Sequence, residues 1–509
     1  MQEVVETYEV QSELIQTKIN IVRTPGGTLR YELVIPELLP ATKILLDDIR
    51  DKLITETTIT TSEILDPKVI DSLKQKFSSK AESLIKTVIP RVDEEVKSYL
   101  ISTLLHEMLG LGYVEFLLND ANLEEIVIIS SKEPVRVYHK KYSWLETNIT
   151  IRTEDQIQNY SSIIARRVGR QVTTLNPLLD AHLISGDRAN AVLYPISTKG
   201  NTITIRKFAR DPWTVTDFIK EKTCPSNVFS LIWLAIQYEM NILISGGTAS
   251  GKTSMLNVLM PFIPPNQRIL SIEDTREIQL AEHLYWCPLI TRQPNPEGKG
   301  EVTMLDLLVN ALRMRPDRII LGEMRKKDQA EVLFEAMHTG HSVYATVHAD
   351  SINETIKRLT NPPIEVPSNL LSAVNLNIVM FRDRRRGIRR TFQIGEYLPV
   401  EEGGKTSVKP NILFRWKPEK DEVIPHADPI RVFEDLSRHT GMTMKEINQD
   451  IAAKKGVLEW MMKHNYRSIV EVGKIMNAYY RNKDVLMKIV EKDGKADDLF
   501  IVDNVKTAL

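Results

Sequence analysis

One glycine-rich loop constrains this chain more than any other stretch. The residues from Asn241 to Met260 read NILISGGTASGKTSMLNVLM and contain the pattern G-x-x-x-x-G-K-[ST]. A short apolar run precedes the loop, as in a buried strand, and SMLNVLM after it has helical spacing. The alternative is a glycine-rich turn that only looks like a phosphate-binding loop. The complete eight-position pattern between a strand and a helix favours the P-loop.

Each residue type in this loop has a physical reason to be there. Glycines let successive backbone N–H groups face one phosphate, and a helix beginning near Lys252 adds its positive end. Lys252 is expected to contact the β- and γ-phosphates of ATP, and the Thr253 hydroxyl to ligate Mg²⁺. The predicted nucleotide-binding residues of the loop are Gly246, Gly247, Thr248, Ala249, Ser250, Gly251, Lys252, Thr253 and Ser254.

Composition limits the class of protein. The 509 residues suggest two to four domains, and a net charge of −1 makes no general demand for nucleic acid or anionic membrane. The two cysteines fit a reducing cytoplasm. The acidic N-terminus does not read as a signal peptide, and no apolar run approaches the ~20 residues of a membrane span. We therefore expect a cytoplasmic protein whose membrane association is peripheral or through a partner.

Changes of pattern along the chain predict five regions. Residues 1–106 form an extension, helix-prone at first, followed by helical segments. Residues 107–210 look like a small α+β domain, and 211–213 is a proline-containing linker. From 214 to 427 short β-rich runs alternate with helices, which predicts an α/β fold with a mainly parallel sheet. Residues 428–509 return to helical spacing.

Two acidic segments close strands of that predicted sheet, where the site of such folds forms. SIEDTRE places Glu273 at a strand end and Glu277 one turn later, and ILGEMR places Glu323 after another strand. A carboxylate there would orient or activate the attacking water, and Glu323 would lie at Mg²⁺ or at its bound water. The structural alternatives are a helix cap for Asp274 and an ordinary salt bridge between Glu323 and Arg325.

The segment MHTGHSVYATVHADS holds three histidines. A zinc site is excluded because no cysteine or other suitably placed ligand accompanies them. His348 follows a predicted strand and is expected to sense the γ-phosphate by a hydrogen bond. His341 is a second candidate on the nucleotide, and His338 is assigned a structural role.

Arginines upstream of the P-loop could stabilise charge in phosphoryl transfer. Such a guanidinium is worth roughly 10³–10⁵ in rate. Arg188 in SGDRANAV and Arg206 in ITIRKF are the candidates, from the same chain or a neighbouring one. The alternative for both is a solvated surface role, which is favoured for the helix-face group Arg166, Arg167 and Arg170.

A dense basic run, FRDRRRGIRRTF, extends from Phe381 to Phe392. It could bind acidic lipid or an acidic partner loop. Gly387 between two strand-like pieces favours the simpler interpretation, a hairpin tip with solvated charges.

Together these segments resemble the type II/type IV secretion ATPase family, over roughly Glu107 to Glu396. The resemblance rests on GGTASGKT, IEDTRE, ILGEMR and TGHSVYATVHA in this order, with GLGYVEFLLNDANLEEIVI and SGDRANAV upstream. The long N-terminal region and the helical tail most resemble the archaeal branch, which includes the motors of archaella. Bacterial members more often have proline after the Asp of the acidic box, which leaves the role of Glu277 open.

The resemblance implies a RecA-like ATPase domain that binds nucleotide against the preceding domain in a homohexameric ring. It implies that Lys252 and Thr253 hold the phosphates and Mg²⁺, and that Glu273 and Glu323 are catalytic acids. Arg188 and Arg206 would close on the γ-phosphate. The implied partners are a polytopic membrane platform protein and a cytoplasmic regulatory ATPase or ring protein, which would place the ring at the inner face of the membrane.

Three functions remain open on the sequence. The first is a motor for an archaellum or for a pilus or type II secretion machine. The second is a DNA-transfer ATPase, against which the balanced net charge argues, since a DNA-threading ring favours basic pore loops. The third is a nucleotide-binding scaffold without turnover, which would not need Lys252, Glu273 and Glu323 intact.

Overall fold

The chain folds into two compact units, Met1–Arg210 and Asp211–Leu509. This computed structural model describes the following ranges: 3–12, 15–34, 39–56, 70–183, 186–208, 212–294, 298–402 and 405–496. No helix within these ranges is long and apolar enough to cross a bilayer. Of the predicted linker 211–213, residue 211 lies outside the described ranges.

The first unit is built on a nine-stranded sheet, mainly antiparallel, with the order β1-β2-β3-β6-β5-β4-β9-β8-β7. Its strands are β1 (Glu3–Ser12), β2 (Ile15–Arg23), β3 (Leu29–Val34), β4 (Leu123–Ile128), β5 (Arg136–His139), β6 (Ser143–Thr147), β7 (Leu178–His182), β8 (Arg188–Val192) and β9 (Thr202–Arg206). Inward-facing residues such as Ile19, Ile126 and Ile205 form one buried core.

In the described part of this unit, five helices accompany the sheet. They are α1 (Pro40–Glu56), α2 (Ile70–Val88), α3 (Glu94–Met108), α4 (Val114–Asn119) and α5 (Glu154–Arg167). The first three pack on one another around Ile49, Phe77 and Leu104, in a core separate from that of the sheet. The last two contribute Leu117 and Ile157 to the sheet core itself.

The first strand corrects the expectation that the N-terminus begins as a helix. Residues Glu3–Ser12 are extended and pair antiparallel with β2 along their length. β3 in turn pairs with β6, where Tyr31 lies opposite Thr147. Segments on both sides of the predicted boundary at 106/107 therefore belong to one sheet. The local pattern did not reveal this because β-branched and aromatic residues become strands through long-range partners.

The second unit contains the predicted mainly parallel sheet. Its order is β12-β11-β13-β14-β10-β15-β16-β17-β18, and the first six of these strands are parallel. The strands are β10 (Ile242–Gly246), β11 (Arg268–Glu273), β12 (Tyr285–Ile290), β13 (Arg318–Leu321), β14 (Ser342–Val347), β15 (Leu376–Asp383), β16 (Ile388–Glu402), β17 (Lys405–Lys417) and β18 (Glu422–Pro425).

Helices cover this sheet on both faces. They are α6 (Val215–Lys220), α7 (Ser226–Gln237), α8 (Lys252–Leu259), α9 (Met304–Ala311), α10 (Lys327–His338), α11 (Ile352–Thr360), α12 (Arg431–Thr440), α13 (Met444–Lys463), α14 (Ile469–Arg481) and α15 (Lys483–Glu491). Ile242 and Ile244 of β10 face one core, and Leu243 faces the other. A strand buried on both sides explains the continuous apolar run before the P-loop.

The helical tail packs into the same core. Trp233 of α7 stacks on Phe262 with ring centroids 5.2 Å apart, and its ring lies 4.5 Å from that of Tyr479 in α14. Its indole nitrogen donates to the Tyr480 hydroxyl at 2.9 Å. The predicted helical region therefore packs with the second compact unit over residues 428–496, and its last residues, 497–509, lie outside the described ranges.

A buried lysine ties two tail helices together. Lys454 of α13 is fully buried and donates to Asp450 and to the Tyr479 hydroxyl. Asp450 also accepts from Lys483 at 2.6 Å. Burial lowers the pKa of Lys454 to about 8, although the charge of Asp450 opposes that shift. Removing one partner of a buried ion pair leaves the other charge buried without compensation, and this lowers the free energy of unfolding.

We expect Lys454→Ala to lower the free energy of unfolding by about 3 kcal/mol, because it removes the buried ion pair and leaves a cavity. The adjacent Lys455→Ala is the matched control. Lys455 is partly exposed and, among the described residues, forms its ion pair with Glu459 at 3.6 Å, so its loss should cost below about 1 kcal/mol. Chemical denaturation of the full chain measures both. Equal losses would show that the buried pair does not stabilise the tail.

Candidate nucleotide site

The P-loop leaves the carboxyl end of β10, where Gly246 closes the strand and α8 begins at Lys252. The loop has the backbone that the motif requires. A Cβ at Gly246 would lie 2.5 Å from both the Met380 carbonyl oxygen and the Ser250 hydroxyl. Gly251 has φ +97°, and even Ala249 adopts a left-handed φ of +59°. This tight turn at residues 249–251, the crest of the loop, directs the N-terminus of α8 toward the space above the sheet edge.

Polar groups of the loop suit an anion. The Lys252 ammonium donates to the carbonyl oxygens of Gly246 at 3.0 Å and Gly247 at 3.2 Å. Burial lowers the pKa of Lys252, while the negative charge of Glu323 opposes the shift. Within the described residues, the buried Ser250 hydroxyl has no hydrogen-bond partner. A phosphate would satisfy these donors, so the loop fits a nucleotide.

The remaining loop residues lie at the surface of this cradle. Thr248 and Ser254 are exposed, and Thr253 is partly exposed in the first turn of α8. Gly247 lies close to an acid from another strand end, since a Cβ there would meet the Asp350 carboxylate at 2.8 Å. Thr253 is thus accessible to a cation at the start of the helix.

Parallel pairing brings the other predicted groups to the same edge. From β10 the neighbouring strands are β14, then β13, then β11. His348 follows β14 and is exposed, Glu323 follows β13 after one glycine, and Glu273 is the last residue of β11. Carboxyl ends of adjacent parallel strands meet at one edge of a sheet. The structure therefore collects the P-loop, His348, Glu323 and Glu273 as the sequence predicted.

Glu273 is an unusual carboxyl group. It is 2% exposed. Its Oε1 accepts from the backbone N–H groups of Glu277 at 2.9 Å and Ile278 at 3.1 Å. Its Oε2 has no partner among the described residues. Burial raises the pKa of Glu273 to about 7, with the two backbone hydrogen bonds acting against that rise. A carboxyl that exchanges a proton near neutral pH is suited to general acid–base chemistry.

Glu323 is paired with an arginine that the sequence placed two residues away. The Arg325 guanidinium donates to Glu323 Oε2 at 2.6 and 3.0 Å and also reaches Asp274 at 3.4 Å. The salt bridge considered as an alternative is therefore formed. It does not remove Glu323 from the site, because its charge still acts on Lys252.

The segment after β11 is tied to the P-loop helix by a side chain. Asn257 of α8 donates to the Glu277 carbonyl at 2.9 Å and accepts from the Gln279 N–H at 2.8 Å. Glu277 is thus tied to α8 through Asn257, and its charge also acts on Lys252. Its proximity to the P-loop agrees with the predicted cofactor-binding role, which itself stays a prediction.

The histidine pair is divided between two edges. His341 precedes the first residue of β14, at the amino edge of the parallel strands, where it lines a cavity with Tyr238, Asn375 and His439. His348 lies at the opposite, carboxyl edge. The prediction that His341 contacts the nucleotide is therefore corrected for the P-loop of its own chain: a six-residue strand separates the two histidines. His338 lies near the Leu370 carbonyl at 3.3 Å.

The two candidate arginines of the first unit are cross-strand neighbours. Arg188 of β8 lies directly opposite Arg206 of β9. Arg188 also forms a two-point ion pair with Asp180, at 3.0 and 2.7 Å. Burial would raise the pKa of Asp180, but the Arg188 contacts outweigh it and the pKa is lowered. The two arginines therefore share one face of the sheet, where Asp180 pairs with Arg188 and Glu125 lies opposite Arg206.

The helix-face arginines of the same unit bond to backbone groups. Arg166 donates to the Ser162 carbonyl, Arg167 to that of Leu109 and Arg170 to that of Asp180. Arg166 is exposed, as the solvated interpretation expects, whereas Arg167 and Arg170 are partly buried and Arg170 lies beyond the end of α5.

Sequence reasoning missed Asp350 at this site. Its carboxylate approaches Gly247, and its negative charge raises the pKa of Lys252 against the effect of burial. The available signal was its position two residues after His348, immediately past a buried strand. Within the described residues, no group of three or more His, Cys, Asp or Glu side chains is arranged to hold a metal ion by itself, so Mg²⁺ would depend on Thr253, Glu323 and the phosphates of ATP.

The burial of Glu273 predicts a pH-dependent stability. Its folded pKa of about 7 lies above the ordinary 4.5, so its stabilising contribution is complete below pH 4.5 and is lost as pH rises through 7. Glu273→Gln stays neutral throughout. We expect the variant to gain stability relative to wild type between pH 5 and 8, by up to about 3 kcal/mol.

Denaturation at several pH values measures this difference. The exposed Glu282→Gln, in the same connection, is the control and should follow wild type. A constant difference between wild type and Glu273→Gln across this pH range would contradict the raised pKa.

Comparison with known proteins assigns a family. The model of the type II/IV secretion system protein family matches residues 109–384. Protein MJ0900 of Methanocaldococcus jannaschii is 36% identical over 402 residues, 77% of this chain and 71% of its own. The type IV secretion system protein PtlH of Bordetella pertussis is 30% identical over 49% of this chain and 83% of its own.

Among solved structures, the Legionella pneumophila ATPase DotB matches 74% of this chain and 94% of its own, at 18% identity and a TM-score of 0.40. The family match covers more than half of the chain and contains the P-loop, both acidic segments and both candidate arginines. The chain is a member of the type II/IV secretion system protein family.

Proposed function

We propose that this protein hydrolyses ATP with Mg²⁺ as a hexameric motor of a membrane-associated filament machine. The observation that carries the proposal is the convergence of the P-loop with Glu273 and Glu323 at one sheet edge. A buried carboxyl with one unpaired oxygen and a pKa near 7 is costly to maintain. A nucleotide-binding scaffold without turnover would have no use for it.

Each group then has a defined role. Lys252 and the P-loop N–H groups hold the β- and γ-phosphates. Thr253 and Glu323 hold Mg²⁺, which neutralises charge on the phosphates when bound. Glu273 accepts the proton of the attacking water through its unpaired Oε2, and His348 donates to a γ-phosphate oxygen. Arg325 limits the approach of Glu323 to Mg²⁺, because it donates to one of the Glu323 carboxylate oxygens.

Arg188 and Arg206 are proposed as the arginines that stabilise the transferred phosphoryl group. Their adjacency on β8 and β9 supports this, since two guanidinium groups side by side favour a multiply charged anion. Arg188 would exchange its contacts with Asp180 for the phosphate. Asp180 would then act as a holder that keeps the arginine extended when no nucleotide is bound.

The machine itself is proposed from the resemblance described above. A homohexamer acting on a polytopic platform protein, at the inner face of the membrane, would convert closure on ATP into movement of an archaellum. A cytoplasmic regulatory ATPase or ring protein would complete the assembly. Pilus or type II secretion assembly is the alternative within the same chemistry, and DNA transfer is the alternative outside it.

We expect Glu323→Gln to retain ATP binding and to lose turnover by at least about 100-fold, because the change removes a catalytic charge and keeps the shape. Lys252→Ala should lose turnover together with much of its ATP affinity. Nucleotide titration and phosphate release on the purified full chain separate the two effects. A Glu323→Gln variant that fails to bind ATP would show that Glu323 is a binding residue only, and wild-type turnover by Lys252→Ala would refute the P-loop assignment.

The partner class can be tested with the inactive Lys252→Ala protein. We expect tagged full-length protein to recover a polytopic membrane protein of a filament machine from detergent-solubilised membranes of its own organism. Mass spectrometry of the captured proteins is the measurement, and tagged wild type with ADP is the comparison. Recovery of DNA-processing proteins without a platform protein would favour DNA transfer.

A further inference from the structure

The basic run that sequence analysis left open forms a hairpin beside the P-loop. β15 pairs with β10 up to Met380, which lies opposite Gly246, and then continues to Asp383. β16 returns from Ile388, with Gly387 in the turn at φ +69°. At about 3.3 Å per residue, the hairpin extends roughly 10 Å past the end of β10. It therefore carries its arginines to the edge of the sheet where the phosphate cradle lies.

The arginines of this run are not equivalent. Arg390 is buried and forms a two-point ion pair with Asp421 at 2.7 and 2.8 Å, so it stabilises the hairpin base. Asp383 accepts from the N–H groups of Arg385 and Arg386 and closes the turn. Arg384 is exposed at the tip. The hairpin-tip interpretation explains these residues and leaves Arg382 and its cross-strand neighbour Arg389.

Arg389 faces the P-loop. Its Nε donates to the Ala249 carbonyl oxygen at 3.2 Å. Its Cδ lies 3.5 Å from the position that a Cβ on Gly251 would take. The contact engages the crest of the loop at the residue with a left-handed backbone. The side chain thus lies against the loop that is predicted to hold the phosphates.

The rest of the Arg389 guanidinium is available. Within the described residues its two terminal nitrogens have no hydrogen-bond partner, so four N–H donors remain beside an anion cradle. A planar guanidinium matches phosphate oxygens with two parallel hydrogen bonds. The catalytic acids approach the loop from the β14 side, whereas Arg389 approaches from the β15 side.

We propose that Arg389 is a nucleotide-binding residue that fixes the P-loop crest through Ala249 and donates to the α- and β-phosphates. The inference rests on the proposed ATPase function. Because Arg389 lies on the side of the loop away from Glu273 and Glu323, it serves ADP as well as ATP. It differs in this from Arg188 and Arg206, which are proposed to act on the γ-phosphate.

The test compares Arg389→Ala, Arg389→Lys and Arg384→Ala in the full chain. Titration with fluorescent ATP and ADP analogues gives Kd, and phosphate release gives KM and kcat. We expect Arg389→Ala to raise Kd for both nucleotides by about tenfold, equivalent to about 1.4 kcal/mol, with a larger change in KM than in kcat. Arg389→Lys should recover part of the affinity, and Arg384→Ala, which removes the same charge from the tip, should match wild type.

Every other outcome overturns either the inference about Arg389, a part of it, or the ATPase proposal as well. Equal losses in Arg384→Ala and Arg389→Ala would assign the effect to the general charge of the hairpin and refute a role for Arg389. A loss for ATP alone would refute the α- and β-phosphate contact. Wild-type affinity in Arg389→Ala, with Lys252→Ala defective, would overturn this inference and leave the ATPase proposal standing. Absence of nucleotide binding by wild type would overturn both. Thermal unfolding without nucleotide checks that the variants are folded.

Discussion

The pairing of β10 with β14 on one side and β15 on the other is the constraint on which the rest of the second unit depends. Because the strands are parallel, their carboxyl ends form one edge, and each connection that leaves this edge contributes a polar group to it. The strands themselves are buried on both faces and supply rigidity. The candidate site residues lie at or just after the strand ends, as Glu323 does after β13 and His348 after β14.

Much of this edge could be predicted from the sequence. The P-loop, Glu273, Glu323 and His348 each follow an apolar run that must be buried, and that local signal is sufficient once the strands are parallel. His341 was misplaced because the same histidine segment spans a whole strand, and sequence proximity hid the fact that a strand has two ends. Asp350 was missed because its approach to Gly247 joins residues more than 90 positions apart. The basic run that contains Arg389 was singled out, but the contact of Arg389 with Ala249 could not be predicted, for the same reason.

The N-terminal region shows a second limit of sequence reasoning. The segment Glu3–Ser12 has no decisive periodicity, and its extended form follows from pairing with β2. The parallel pair between β3 and β6 joins residues separated by more than 100 positions. Helical segments such as α2 and α3 were predictable because their apolar spacing is local. Long-range pairing carries no comparable mark in a single sequence.

The two hydrogen bonds of the Asn257 side chain bear on the acidity of Glu273. The two N–H groups that stabilise the Glu273 carboxylate belong to Glu277 and Ile278, and Asn257 fastens that same stretch to the P-loop helix. A shift of α8 on nucleotide binding would therefore stretch or shorten these hydrogen bonds. Stretching them favours the protonated acid, and shortening them favours the base. If α8 moved when the loop was filled, the proton affinity of the Glu273 carboxyl would change with it, without any contact between Glu273 and the nucleotide.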